Sequence, residues 1–194
     1  MLRLLDSLEQ ITIGTTVRDK RAHHARTPAM PALNTLPAAA KMVLRPIHPP
    51  ITADAAVALV QAIDKLFSQF TRENRIAAHA AEVLADGAVL AVAFVDDAPL
   101  SGCSHDKLGQ ILAAHETRTG SRMLDAPPIM IEVNGQPTCV DRAGLRTLIA
   151  AGQIGPDTIH WDLRVNTIGE WNDHGRRPAK DTWLAPLIAR AQVS

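Results

Sequence analysis

The sequence predicts an α+β protein: a small antiparallel sheet with two helices, followed by a second α+β half. Three observations carry that expectation. Ala56, Leu59, Val60, Ile63, Leu66, Phe67 and Phe70 recur at i, i+3, i+4, i+7 spacing, with Asp64, Lys65, Ser68 and Gln69 off the stripe, which is the pattern of a helix packed on one face. Residues 88–95, Ala-Val-Leu-Ala-Val-Ala-Phe-Val, form a short continuous apolar run that suits a strand buried on both faces. Pro127-Pro128 then breaks the chain, and a new strand pattern with an Asn134-Gly135 turn begins a second unit.

Residues 1–40 differ in composition from the rest of the chain. A short Leu/Ile stretch leads into a basic patch (Arg18, Lys20, Arg21, His23, His24, Arg26) and then Pro28, Pro31 and Pro37. This composition buries little, so a disordered or non-native leader is expected, with a docking arm as the functional alternative and Met30 or Met42 nearer the folded start. Residues 41–126 should form the first half. Residues 42–45 read as a strand closed by Pro46, Pro49 and Pro50. Thr52 is placed to cap the long helix, with Asp54 in its first turn where the helix dipole favours a negative charge. Residues 76–83 alternate loosely, and Asp86-Gly87 signals a hairpin into the apolar run. Residues 104–115 read as a second helix with Leu108, Ile111, Leu112 and His115 on one side.

The second half is expected over residues 127–185. It holds a strand at 129–133, a helix capped by Asp141 with Leu145, Leu148 and Ile149 inward, a Gly155-Pro156-Asp157-Thr158 turn and a short strand at 159–161. Residues 186–194 read as a tail.

The bulk numbers exclude several function classes. Twenty basic and 20 acidic side chains cancel, so no global field favours nucleic acid or an anionic membrane surface. Two cysteines make no disulfide framework, no apolar run reaches the roughly 18 residues of a membrane span, and Asp6, Glu9 and the basic patch interrupt any secretory h-region. The expectation is a cytoplasmic protein with reduced thiols, without a cofactor or metal, whose partner is a protein or peptide; its oligomeric state is left open.

Two groups of residues could carry chemistry. In Ser101-Gly102-Cys103-Ser104-His105-Asp106, a thiol stands where a strand passes into a helix, and the positive end of the helix dipole favours thiolate. Cys103 would be the nucleophile, His105 its base, and Asp106 or Asp97 the orienting carboxylate, with Ser101, Gly102 and Ser104 forming a binding turn. In the competing structural reading Gly102 is the turn glycine, Ser104 caps the helix, and Cys103 is a small buried hydrophobe. A zinc site would need paired ligand spacing that Cys103, His105 and Cys139 lack.

The second group is aromatic. Half of the six aromatic residues are Trp161, Trp171 and Trp183, all in the second half of a chain without tyrosine. Tryptophan concentrates binding energy because it buries a large area and keeps an N–H donor. Trp161 and Trp171 are the expected binding residues, with Arg176 and Arg177 as candidate contacts to an acidic partner.

Two resemblances extend this reading. The run Leu145-x-x-Leu148-Ile149-x-x-Gly152-x-Ile154-x-Pro156-Asp157-Thr158-Ile159-x-Trp161, with Gly169-x-Trp171 and Pro178-Ala179, resembles the bacterial GYF-like domain over residues 129–183. That resemblance implies a GYF-like second half used for binding. The chain departs from the pattern at Gln136-Pro137-Thr138-Cys139, where those domains carry an aromatic and Gly-Pro. Over residues 42–185, Ser-Gly-Cys-Ser-x-Asp and the closing Pro178-Ala179-Lys180-Asp181-Thr182-Trp183 resemble an uncharacterised bacterial family sometimes labelled an ABC transporter ATPase. The chain has no Gly-x-x-x-x-Gly-Lys-Ser/Thr loop to cradle phosphates, so no ATPase activity is assigned. The expected function is a binding or adaptor module, with a Cys103-dependent enzyme or thiol redox-responsive protein as the alternative.

Overall fold

The computed structural model describes residues 32–96 and 102–191. Strands β1 (Lys41–Pro46), β2 (Ala78–Leu84) and β3 (Val89–Val95) form an antiparallel sheet in the order β1-β3-β2. Val92 at its centre pairs with Val43 on one side and Ala81 on the other. The central strand explains the unbroken apolar run, since its two faces meet different partners. Leu90, Val92 and Phe94 pack under the helices α1 (Ala53–Arg72) and α2 (Gly102–Thr119), while Val89, Ala91 and Ala93 face the second half of the chain.

Helix α1 forms where the stripe places it. Thr52 Oγ1 accepts the Ala55 N–H at 3.4 Å, Asp54 occupies the first turn, and Leu59, Ile63, Phe67 and Phe70 reach the core almost without exposure. Between β2 and β3 the chain makes a four-residue turn with Ala85, Asp86 and Gly87 all at positive φ, rather than a two-residue hairpin. Gly87 is required there: its φ is +93°, and a Cβ would collide with the Ile51 carbonyl oxygen.

A second antiparallel sheet has the order β5-β4-β6-β7, formed by β4 (Ile129–Val133), β5 (Gln136–Val140), β6 (Ile159–Trp161) and β7 (Arg176–Pro178). Helices α3 (Arg142–Ala150) and α5 (Ala185–Ala191) cover one face through Ile129, Ile131, Leu145, Leu184 and Ile188. Its other face supplies Met130, Cys139 and Trp161 to a cluster shared with Met42, Leu44, Ala80, Ala91 and Ala93. The small alanines of the first sheet let these larger side chains approach. One buried cluster therefore joins residues on both sides of 126–127.

Two expectations need correction, and one element was not expected. Residues 32–40 are not leader: Leu33 and Leu36 flank a 3-10 turn (Leu33–Thr35) and join the shared core, because the Leu33 N–H is held by Glu82 Oε1 of β2 at 2.9 Å. Residues 186–191 belong to helix α5 rather than to a tail, anchored by Ile188. An additional helix, α4 (Ile168–His174), comes after β6; Thr167 Oγ1 accepts the Glu170 N–H at 3.1 Å and Glu170 Oε2 accepts the Asn166 N–H at 2.7 Å. The remainder of the expected leader, residues 1–31, and of the tail, residues 192–194, lies outside the described residues.

Candidate functional site

Among the described residues, no hydrogen bond joins Cys103, His105 and Asp106. Ser101 and Asp97 lie outside the described residues. Cys103 is exposed at the second position of α2, so the expectation of a small buried hydrophobe is wrong for this thiol. His105 and Asp106 are exposed on the same helix. Residues two apart on a helix point roughly 200° apart, so Cys103 and His105 do not face one another. Ser104 is not the cap either. It sits within the first turn, almost fully buried, and its hydroxyl accepts a hydrogen bond from Arg75, which also lies over the Phe70 ring. Gly102 opens α2 in unobstructed space, where no close backbone approach calls for a glycine. Cys139, by contrast, is buried in the shared core, and burial pushes its thiol up to about 11.

The tryptophans divide into three environments. Trp161 is a core anchor: its indole N–H donates to Glu132 Oε1 at 3.1 Å, and Arg176 donates to the same oxygen at 2.9 Å while its guanidinium lies 4.5 Å above the ring. Trp171 is half-buried against it, ring centroids 5.9 Å apart, and lines a shallow cleft with Leu33, Asn34 and Glu82. Arg176 is thus engaged within the protein. Trp183, which is not among the binding residues expected from the sequence, is the exposed one at 42%.

Trp183 borders a cleft of about 370 Å³. Pro128, Ile129 and Leu163 give its apolar lining, and Arg142, His160, Asp162 and Arg164 its polar lining. Strand β6 explains the arrangement. Consecutive strand residues face opposite sides, so with Trp161 turned toward the first sheet, His160 turns toward the layer of α3 and α5. There His160 pairs across the strands with Ile131 and Arg177, and its ring stands edge-on to Trp183 with centroids 6.0 Å apart.

The polar groups of this cleft are unevenly satisfied. Asp162 accepts Arg164 Nε at 2.9 Å and Nη2 at 3.1 Å, and these hydrogen bonds hold its carboxyl below the ordinary range. Arg142, the first residue of α3, is exposed and has no side-chain partner among the described residues. His160 is 5% exposed, its Nδ1 is buried without a hydrogen-bond partner, and the same is true of Arg177 Nε beside it. Burial favours the neutral imidazole of His160. Arg164 and Arg177 act in the same direction, and Asp162 opposes them. The arrangement can hold a ligand that combines an apolar part with hydrogen-bonding or anionic groups. It places no nucleophile beside a base. Among the described residues, no three His, Cys, Asp or Glu side chains are grouped to hold a metal ion.

No family model, curated protein or solved structure matches the chain. What the fold itself defines is an α+β protein with two small antiparallel sheets packed through a shared core. No described helix is long and apolar enough to cross a membrane.

Proposed function

We propose that this protein is a binding or adaptor module that receives a peptide segment of a partner in the cleft between Trp183 and Arg142. The single observation that carries the reading is an exposed tryptophan beside a buried histidine with an unpartnered nitrogen, in a cleft that also holds a free guanidinium. Exposed indoles and arginines of this kind carry most of the energy of protein interfaces. The landmarks that resemble GYF-like domains fall on α3, the segment between α3 and β6, β6, α4 and the end of β7, and two of these elements, α3 and β6, supply Arg142 and His160. The binding residue in this reading is Trp183, with Trp161 and Trp171 as the supports behind it.

Short random peptides selected on the immobilised full chain test the reading. Binders are expected to alter the emission that disappears in Trp183→Phe, and Trp183→Ala is expected to weaken them by about 2 kcal/mol or more. A selection that yields no binder, or only binders indifferent to Trp183→Ala, overturns it. The alternative of a Cys103-dependent activity has one observation on its side, the exposure of that thiol.

A further inference from the structure

The charges around the cleft specify the ligand more closely, on the premise that the cleft binds a peptide at all. Two guanidinium groups, Arg142 and Arg164, line the cleft against one carboxylate, Asp162. Asp162 is saturated by Arg164, which grips it with two side-chain hydrogen bonds and donates its backbone N–H to Oδ1 at 3.1 Å. That pair is internally neutral, so the charge left over among the lining residues is that of Arg142. His160 Nδ1 and Arg177 Nε are buried without a hydrogen-bond partner. Beside these groups Trp183, Pro128 and Ile129 offer an apolar wall.

We infer that the cleft takes a peptide segment carrying a side-chain carboxylate next to an apolar residue, the carboxylate on Arg142 and the apolar side chain on Trp183. A guanidinium presents its donors in a planar fork that matches a carboxylate, and a free one at a rim remains solvated until an anion arrives. The free donor here is one long side chain rather than a nest of backbone N–H groups, which suits an aspartate or glutamate within a segment over the carboxylate of a chain end. Excess positive charge speeds the approach of such a segment and disfavours basic ones.

The test uses the full chain and short random peptides acetylated at one end and amidated at the other, so that no terminal carboxylate is present. Selected binders are expected to be enriched in Asp or Glu adjacent to Leu, Ile, Val or Phe. Replacing that acid by its amide should weaken binding at least tenfold. Arg142→Ala should cause a similar loss and Arg142→Glu a larger one, while Arg146→Ala, which removes the same charge from an exposed position of α3 outside the cleft, should change affinity less than twofold. Binders that depend on Trp183 but show no acid preference, or that respond equally to Arg142→Ala and Arg146→Ala, overturn the carboxylate inference and leave the binding reading standing. The absence of any Trp183-dependent binder overturns both.

Discussion

His79 and His160 are both buried histidines on strands, one in each sheet. On β2, His79 lies between two groups of α1, Asp64 Oδ1 at 3.0 Å from Nε2 and Thr71 Oγ1 at 3.4 Å from Nδ1, with Phe67 against its ring. Both nitrogens are engaged within the protein. On β6, His160 has Trp183 against its ring, a buried nitrogen with no partner, and a cleft beside it. Burial of a polar group without a partner costs stability, so the two layers differ in how far the fold satisfies itself. The layer of α1 and α2 engages both nitrogens of His79 beside an aromatic cluster and serves as scaffold. The layer of α3 and α5 leaves capacity at one place, next to an exposed indole. His115 shows that an unpartnered nitrogen is not enough. Its Nδ1 accepts from Arg118 at 2.5 Å and its buried Nε2 has no partner, yet it lines neither the Trp183 cleft nor the Trp171 cleft.

The largest contrast should appear in stability. Phe67→Ala removes a ring that contacts Phe70, Phe94 and His79, and is expected to cost about 3–5 kcal/mol in denaturant unfolding. Gly87→Ala is expected to cost about 3 kcal/mol or more, because both its positive φ and the Ile51 carbonyl oppose a Cβ and neither is a flexible side chain. Trp183→Ala, though it deletes a larger side chain than Phe67→Ala does, should stay within about 0.5 kcal/mol. Equal losses at Phe67 and Trp183 would end the division into scaffold and site.

Next in size is the support behind the cleft. A Cβ on Gly175 would collide with the Trp171 ring, so Gly175→Ala must displace the indole that backs Trp161. A loss of about 1–3 kcal/mol is expected, with a shift in tryptophan emission. Unchanged emission would mean that Trp171 does not buttress Trp161.

The scaffold was more legible in the sequence than the site, for physical reasons. Helix α1 repeats its apolar stripe over five turns, and β3 shows six buried residues in succession, so periodicity identifies both. The Asp141 cap was readable from residue type alone, and Gly144 N–H does donate to it at 2.7 Å. Helix α4 has only seven residues and one fully buried side chain; its signal was the Thr167-x-x-Glu170 box, which a search for stripes passes over. The prolines around Leu33 and Leu36 hid two core residues, which join a cluster of residues distant in sequence, with Leu33 N–H held by Glu82. The site was least visible. Tryptophans drew attention to the second half, but β6 has three residues, too few for an alternation that would tell which of His160 and Trp161 faces the layer of α3 and α5. That choice is fixed by the pairing of Met130 with Trp161 and of Ile131 with His160.

Acid should then separate the layers by a smaller amount. Burial holds His160 and His115 below the ordinary histidine value in the folded chain, whereas the unfolded chain takes up these protons near pH 6.5. The unfolded state therefore binds more protons below that value. Stability should be flat above about pH 6.5 and decline as the pH falls toward the lowered folded values. His160→Gln is expected to remove its part of that slope while leaving the part due to His115. A slope between about pH 5 and 6.5 that is identical in His160→Gln and the parent chain would show that His160 is already charged or solvated in the folded state.

The smallest expected effect on stability belongs to Cys103, the thiol that stands out in the sequence. Cys103 is exposed near the start of α2, and its one-atom change to serine alters no buried contact, so Cys103→Ser should lie within about 0.5 kcal/mol of the parent. Cys139→Ser removes a thiol from the shared core, places a hydroxyl among Met130, Trp161 and the alanines of the first sheet, and should cost about 1–3 kcal/mol. Iodoacetamide distinguishes the two thiols in the native protein. Alkylation requires access and thiolate, and Cys139 lacks both, being buried with its thiol pushed up to about 11. Cys103 should therefore label without unfolding, and Cys139 only across the unfolding transition. If Cys139 labels at native pH as fast as Cys103, the shared core opens readily, and the scaffold does not extend through the layer that joins the two sheets.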